Sequence, residues 1–129
     1  MPDIKVLLLA ALGLFVLGFV ALKLLQPPAT EVKVILSEWK VESAIISVHP
    51  GRVKFVVTNK GTMEHAFEIE ADEKELGELE HIAPGQTKAL TVNLREGEYE
   101  LYCPLPGHKD NGMLASFLVT PVQTQSLKP

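Results

Sequence analysis

The sequence predicts a small all-β sandwich preceded by one N-terminal transmembrane helix. Three observations predict it: the first 25 residues are almost wholly apolar, the remainder breaks into short β-rich runs with period-two alternation, and turn residues punctuate those runs. At 129 residues the chain has room for one domain of ordinary size and little more.

The apolar segment comes first. Ile4 to Leu25 is a stretch of 22 residues whose only charges, Lys5 and Lys23, lie near its two ends. A helix crosses a bilayer core with about 20 apolar residues, and both lysines sit where a long side chain reaches the headgroups. A cleaved signal peptide would show an apolar run of about 7 to 15 residues followed by a small-x-small site. Neither is evident, so residues 1–25 are expected to be an uncleaved anchor or signal that holds the chain to the membrane through residues 4–25. An N-in orientation then exports everything that follows, to the periplasm or the outer cell surface. Gln26 to Thr30, with Pro27 and Pro28, forms a short stiff linker that cannot continue the helix.

The exported domain is expected over 31–122, with a frayed tail at 123–129. Its candidate strands run from Val32 to Trp39, Ala44 to Val48, Arg52 to Asn59, His65 to Glu70, Thr87 to Leu94, Glu98 to Cys103 and Leu114 to Thr120. Val53, Phe55 and Val57 alternate with polar residues, which marks one buried and one wet face. His49-Pro-Gly51, Asn59-Lys-Gly61, Pro84-Gly85 and Glu96-Gly97 supply the reversals between strands. Ala71 to Leu79 reads ADEKELGEL, charged and interrupted by Gly77, and is expected to be a loop with at most a helical turn or two.

The chain carries net charge −4, and from Pro27 onward ten Lys/Arg face fifteen Asp/Glu. No basic run is long enough for a nucleic-acid footprint, so nucleic acid is not an expected partner. The acidic run Glu68, Glu70, Asp72, Glu73, Glu75, Glu78 and Glu80 reads as a solvated surface, with steering of a basic partner as the alternative.

Cys103 is the single cysteine, in a domain expected to be exported. Unable to form an internal disulfide, it is an intermolecular partner, a buried inert thiol or a metal ligand. Taken alone it would be a small buried hydrophobe. Its neighbourhood, Tyr102-Cys-Pro-Leu-Pro-Gly-His-Lys-Asp-Asn-Gly-Met113, puts Cys103, His108 and Met113 five residues apart. Thiolate, imidazole and thioether are donors that copper selects. A trigonal copper site with a weak axial Met needs a second imidazole from another strand, and His65, after the Gly61 turn, fits that role. His49 and His81 stand beside turns with no second ligand at metal spacing and are assigned to the surface. Met63 is expected to pack near the site, and Trp39 to be a core or strand residue. A Cys/His hydrolase is disfavoured, because a proline follows Cys103 and no helix starts there to lower its pKa.

At these residues the chain resembles the cupredoxin family, the plastocyanin and azurin group. Asn59-x-Gly61-x-x-x-His65-x-Phe67 and Tyr102-x-Cys103-Pro-x-Pro-Gly-His108-x-x-x-Gly112-Met113 match its pattern in order. The resemblance implies a Greek-key cupredoxin β-sandwich and one type 1 copper ion, with His65, Cys103 and His108 as equatorial ligands and Met113 axial. It also implies a one-electron Cu(I)/Cu(II) carrier, no enzyme and no small-molecule substrate, that docks transiently with redox protein partners, cytochrome or oxidase-type, near His108. The alternative is an extracytoplasmic copper carrier or chaperone using the same ligands. Two features depart from the family or bear on its tuning. Ala66, where better-known members often have Asn or Ser, has no side chain to tie the ligand loops together. The amides of Ala66 and Leu105, which in the family donate to the thiolate, are both retained. A binuclear centre is disfavoured because Gly107 stands where a second Cys would be wanted.

Overall fold

The computed structural model describes residue 1 and residues 3–122. The expected tail at 123–129 and the side chain of Lys23 lie outside the described residues.

Helix α1 (Ile4–Leu24) spans 21 residues. Its Ala- and Leu-rich composition favours a helix, and Pro27 and Pro28 lie beyond its end. At 1.5 Å per residue it is about 31 Å long, the thickness of a bilayer core. The stretch Ile4–Leu22 is long and apolar enough to cross a membrane, and none of it is buried within the chain's own fold.

Two sheets stack on the C-terminal side. The first comprises β1 (Thr30–Ser37), β2 (Lys40–Ser43), β4 (Gly51–Asn59) and β7 (Thr87–Leu94), in the order β2-β1-β4-β7. The second comprises β3 (Ser47–Val48), β5 (His65–Ala71), β6 (Lys74–Ile82), β8 (Gly97–Tyr102) and β9 (Leu114–Val119), in the order β3-β9-β8-β5-β6. β1 runs parallel to β4 and β3 parallel to β9, while the other pairs are antiparallel. The chain switches sheets repeatedly, giving the Greek-key sandwich.

The core lies between the sheets. Val32, Val34 and Leu36 of β1 and Val53, Phe55 and Val57 of β4 face Phe67, Ile69, Leu101 and Phe117 of the other sheet. The Phe55 ring sits 5.6 Å from that of Phe67 and 5.3 Å from that of Phe117, in tilted and edge-to-face arrangements. At the lower end the Tyr99 hydroxyl donates to the Arg95 carbonyl at 2.7 Å and accepts from the Arg95 amide at 3.1 Å. That bond holds the turn into β8.

Three elements differ from the sequence expectation. Ala71 to Leu79 is not a loop: β6 forms a hairpin with β5. Asp72 and Glu73 both adopt left-handed backbone, φ 51° and 58°, as a two-residue type I′ turn requires. Gly77 reads as a breaker but serves packing, since a Cβ there would lie 3.0 Å from Leu90 Cδ2. β6 is an edge strand, so its charges block pairing with another sheet. The expected strand Ala44 to Val48 survives only as β3, because β2 ends at Ser43. The expected strand Val32 to Trp39 stops at Ser37, and Glu38 and Trp39 form the turn into β2.

Candidate metal centre

One end of the sandwich collects three connections: the β1–β2 turn, the β4–β5 loop and the β8–β9 loop. Asn59 closes β4 and is fully buried. Its Nδ2 donates to the carbonyls of Met63 and Ile82, each at 2.8 Å, and its Oδ1 accepts from the Gly61 amide at 2.8 Å. This Asx-type latch fixes the loop that delivers His65 to the first position of β5.

The β8–β9 loop is closed by its own backbone. The Cys103 amide donates to the Met113 carbonyl at 3.1 Å, and the Met113 amide to the His108 carbonyl at 3.0 Å. Gly107 and Gly112 have φ of 78° and 113°, where a side chain would be strained. Cys103 and Met113 are fully buried, and His108 is half-buried.

The donor atoms converge. His65 Nδ1 lies 3.2 Å from His108 Nδ1, and Cys103 Sγ lies 3.4 Å from His108 Nδ1. Ligand atoms of the three residues all fall within 4.8 Å of one another. Three donors about 2 Å from one ion in a trigonal plane would lie about 3.6 Å apart, so the spacing fits a single metal. The Ala66 amide donates to Cys103 Sγ at 3.4 Å, as expected. Among the described residues no bond from the Leu105 amide to Sγ is formed, so the sulfur has one of its two expected donors.

His65 is fully buried, and burial pushes its imidazolium pKa down, with a smaller contribution from neighbouring His108. The ring is therefore neutral near pH 7, the form that binds metal. Among the described residues its Nε2 makes no hydrogen bond of normal geometry, and Glu38 Oε1 lies 3.3 Å from it. That carboxylate accepts from the Thr62 amide at 2.8 Å and the Met63 amide at 3.1 Å, which hold it below the usual carboxylate range. Gly61 leaves room for it, since a Cβ there would overlap Glu38 Oε1.

Trp39 and Glu38 are the site residues that sequence reasoning missed. Trp39 is not in the core: it is 43% exposed, with its ring edge-on to His108 at 5.2 Å between centroids. Met63 is 41% exposed and so forms part of the surface around the site. His49 and His81 are exposed as expected, bonded to the Thr120 carbonyl at 3.0 Å and Glu64 Oε1 at 2.9 Å. The acidic run is only partly solvated, because Glu68 is buried at 8% exposure. The Tyr102 hydroxyl shares its one proton between Glu68 at 2.6 Å and Glu70 at 2.8 Å, and burial together with these carboxylates raises its pKa strongly. Lys109 lies 4.0 Å over the Tyr102 ring and pairs with Glu100 at 2.6 Å.

A Greek-key sandwich with two imidazoles and a cysteine sulfur converging at one end, and a buried methionine closing the same loop, defines a cupredoxin-type copper protein, and this donor set fits one type 1 copper ion. The model of the Cupredoxin-like domain family matches residues 7–115, and the chain belongs to that family. Among curated proteins it is 35% identical over 75 residues to the iron uptake system component EfeO of Escherichia coli O6:H1, covering 58% of this chain and 20% of EfeO. The chain thus spans only a fifth of that relative's length. Among solved structures it is similar to dithionite-reduced auracyanin from Roseiflexus castenholzii, with TM-score 0.64 and 16% identity over 74% of this chain and all of that one. It is also similar to auracyanin A, described as a "blue" copper protein from Chloroflexus aurantiacus, with TM-score 0.61 and 15% identity over 72% of this chain and all of that one. At these identities the likeness is one of fold.

Proposed function

We propose that this chain is a one-electron carrier held by α1 on the outer side of a membrane, with His65, Cys103 and His108 as equatorial ligands of one copper ion and Met113 as its axial ligand. The observation that carries the proposal is the convergence of the His65 imidazole and the buried Cys103 sulfur on His108 Nδ1, at 3.2 and 3.4 Å, with ligand atoms of all three within 4.8 Å of one another. Copper held there supplies a Cu(I)/Cu(II) couple.

The surrounding residues do the rest. Burial of His65, Cys103 and Met113 keeps water from the site, and the loop's two closing hydrogen bonds keep the donors in place as charge changes. His108 alone of the four reaches partly to the surface, which makes its edge the electron port. Trp39, whose ring meets His108, together with Leu105 and Pro106 of the same loop gives that port an apolar rim, suited to the small, short-lived interfaces of redox encounters. β1 leaves the linker at Thr30 and runs eight residues toward the site, which sets the site about 26 Å beyond the membrane-proximal end at roughly 3.3 Å per residue. A soluble or peripheral redox protein is the partner this arrangement suits.

The name of EfeO raises iron, but thiolate and thioether donors favour copper over a hard ferric ion. Copper delivery is the second reading, and the absence of a side-chain tie at Ala66 favours it. One experiment separates the two: the full chain in detergent, loaded with Cu(II) and then reduced, beside Cys103→Ala. An intense thiolate-to-copper band that bleaches on reduction, returns on oxidation and is absent from the variant supports the carrier. Tight Cu(I) binding without such a band would favour delivery, and no copper binding would end both.

A further inference from the structure

We propose that the two-residue turn Glu38–Trp39 is a clasp that ties the two ligand loops together from outside the site, with Glu38 positioning His65 and Trp39 positioning His108. This rests on the copper reading above and assigns a device to it.

The clasp follows from where one short turn reaches. The β1–β2 register pairs Ser37 with Lys40, leaving Glu38 and Trp39 as the whole connection. Forward from the turn, the Glu38 carboxylate accepts both amides of Thr62 and Met63 and lies 3.3 Å from His65 Nε2. On the other side, the Trp39 indole meets the His108 ring edge-on at 5.2 Å. Each loop carries a glycine where the turn docks. A Cβ on Gly61 would overlap the Glu38 carboxylate, and one on Gly112 would lie 3.1 Å from the Trp39 carbonyl oxygen.

The backbone supports the same conclusion. Trp39 has φ 64°, the left-handed region that the second residue of such a turn demands and that glycine or asparagine fills at little cost. A bulky aromatic there is strained, and strain of this kind persists where surrounding contacts impose it and clusters at functional sites. A hairpin alone would be better served by glycine; the indole is explained by what it touches. Ala66 has no side chain long enough to bridge the loops, and near the sulfur it contributes only its amide, which donates to Cys103 Sγ. The turn supplies the missing brace.

Trp39→Gly tests this cleanly, because it removes the ring while relieving the backbone. The full chain in detergent is compared with Trp39→Gly and Trp39→Phe, measuring melting of the metal-free protein, the thiolate-to-copper band, and the rate of Cu(I) release to a chelator. The clasp predicts that metal-free Trp39→Gly melts at or above the wild-type temperature, yet releases copper at least about tenfold faster with a shifted band. Trp39→Phe, which keeps a ring over His108, should restore most of both. A parallel pair should behave alike: Glu38→Ala speeds release, and Glu38→Gln, which still accepts the two amides, does not. A wild-type release rate and band in Trp39→Gly would overturn the clasp while leaving the carrier intact. Melting of Trp39→Gly below wild type would also overturn it, by showing that the ring packs the hairpin. A wild-type protein with no Cys103-dependent band would remove the function itself, a result distinct from either.

Discussion

Replacing Asn59 by alanine removes three hydrogen bonds from a fully buried side chain: two donated to the carbonyls of Met63 and Ile82, one accepted from the Gly61 amide, all at 2.8 Å. A buried hydrogen bond contributes about 1 kcal/mol net, and more when its partner is left unsatisfied, so the expected loss is about 3 kcal/mol. For a domain of this size each kcal/mol moves the melting temperature by about 4–8 °C. Asn59→Ala should therefore melt about 12–24 °C lower, read by far-UV circular dichroism of the metal-free chain in detergent. Asn59→Asp should be no better, because it aims a carboxylate at two carbonyl oxygens. The loop that Asn59 latches also delivers His65, so copper affinity should fall with stability in both variants. A drop below about 4 °C for Asn59→Ala would refute the reasoning, since it would mean that water replaces all three bonds and that the ligand loop holds itself.

Tyr99→Phe strands the amide and carbonyl of Arg95, which the hydroxyl now serves at 3.1 and 2.7 Å; equilibrium urea unfolding should report a loss of about 1–2 kcal/mol. Met113→Leu keeps the buried volume but removes the thioether, so the Cys103-dependent band should persist while the midpoint potential rises; an unchanged potential in a redox titration would exclude Met113 from the coordination. His81 has its pKa raised from the usual 6.5, first by its hydrogen bond to Glu64 and then by that carboxylate's charge. Its folded-state value lies above its unfolded one, so the pair's stabilisation is fully present below about pH 6.5 and is lost as pH rises through the folded value. His81→Gln should flatten that segment of the stability–pH curve, measured by thermal melts at closely spaced pH.

Most of the sandwich is legible because its strands alternate: Val53, Phe55 and Val57 point inward as their spacing requires, and Thr87 to Leu94 has the observed bounds of β7. The four candidate ligands are legible because three of them share one loop at fixed spacing and the fourth follows an Asn-x-Gly turn. β6 is not, because an edge strand needs no apolar alternation and its one glycine answers to Leu90 and Val92 across the sandwich, a contact invisible along the chain. Glu38 and Trp39 are hidden for a related reason. Their partners lie 24 or more positions away, and a tryptophan in a left-handed turn position defies the preference that a sequence pattern relies on. The sequence carried no signal for them, since the run from Val32 reads as one strand through Trp39 and the two-residue turn shows only in the pairing of Ser37 with Lys40.

The geometry also accounts for how a metal site can stay ready for its ion. Donors brought together at 3.2–3.4 Å have already given up their conformational freedom during folding, so binding need not order them again. Protons compete poorly for the site, because burial keeps His65 neutral. What the arrangement does carry is a buried Nε2 on His65 without a hydrogen bond, a debt the sandwich tolerates only while Glu38 stays close. Glu38 is held there by two amides of the same loop that presents His65. The rigidity of the metal site and the integrity of the β1–β2 turn are therefore one property, and a substitution that loosens the turn should be felt at the copper before it is felt in the core.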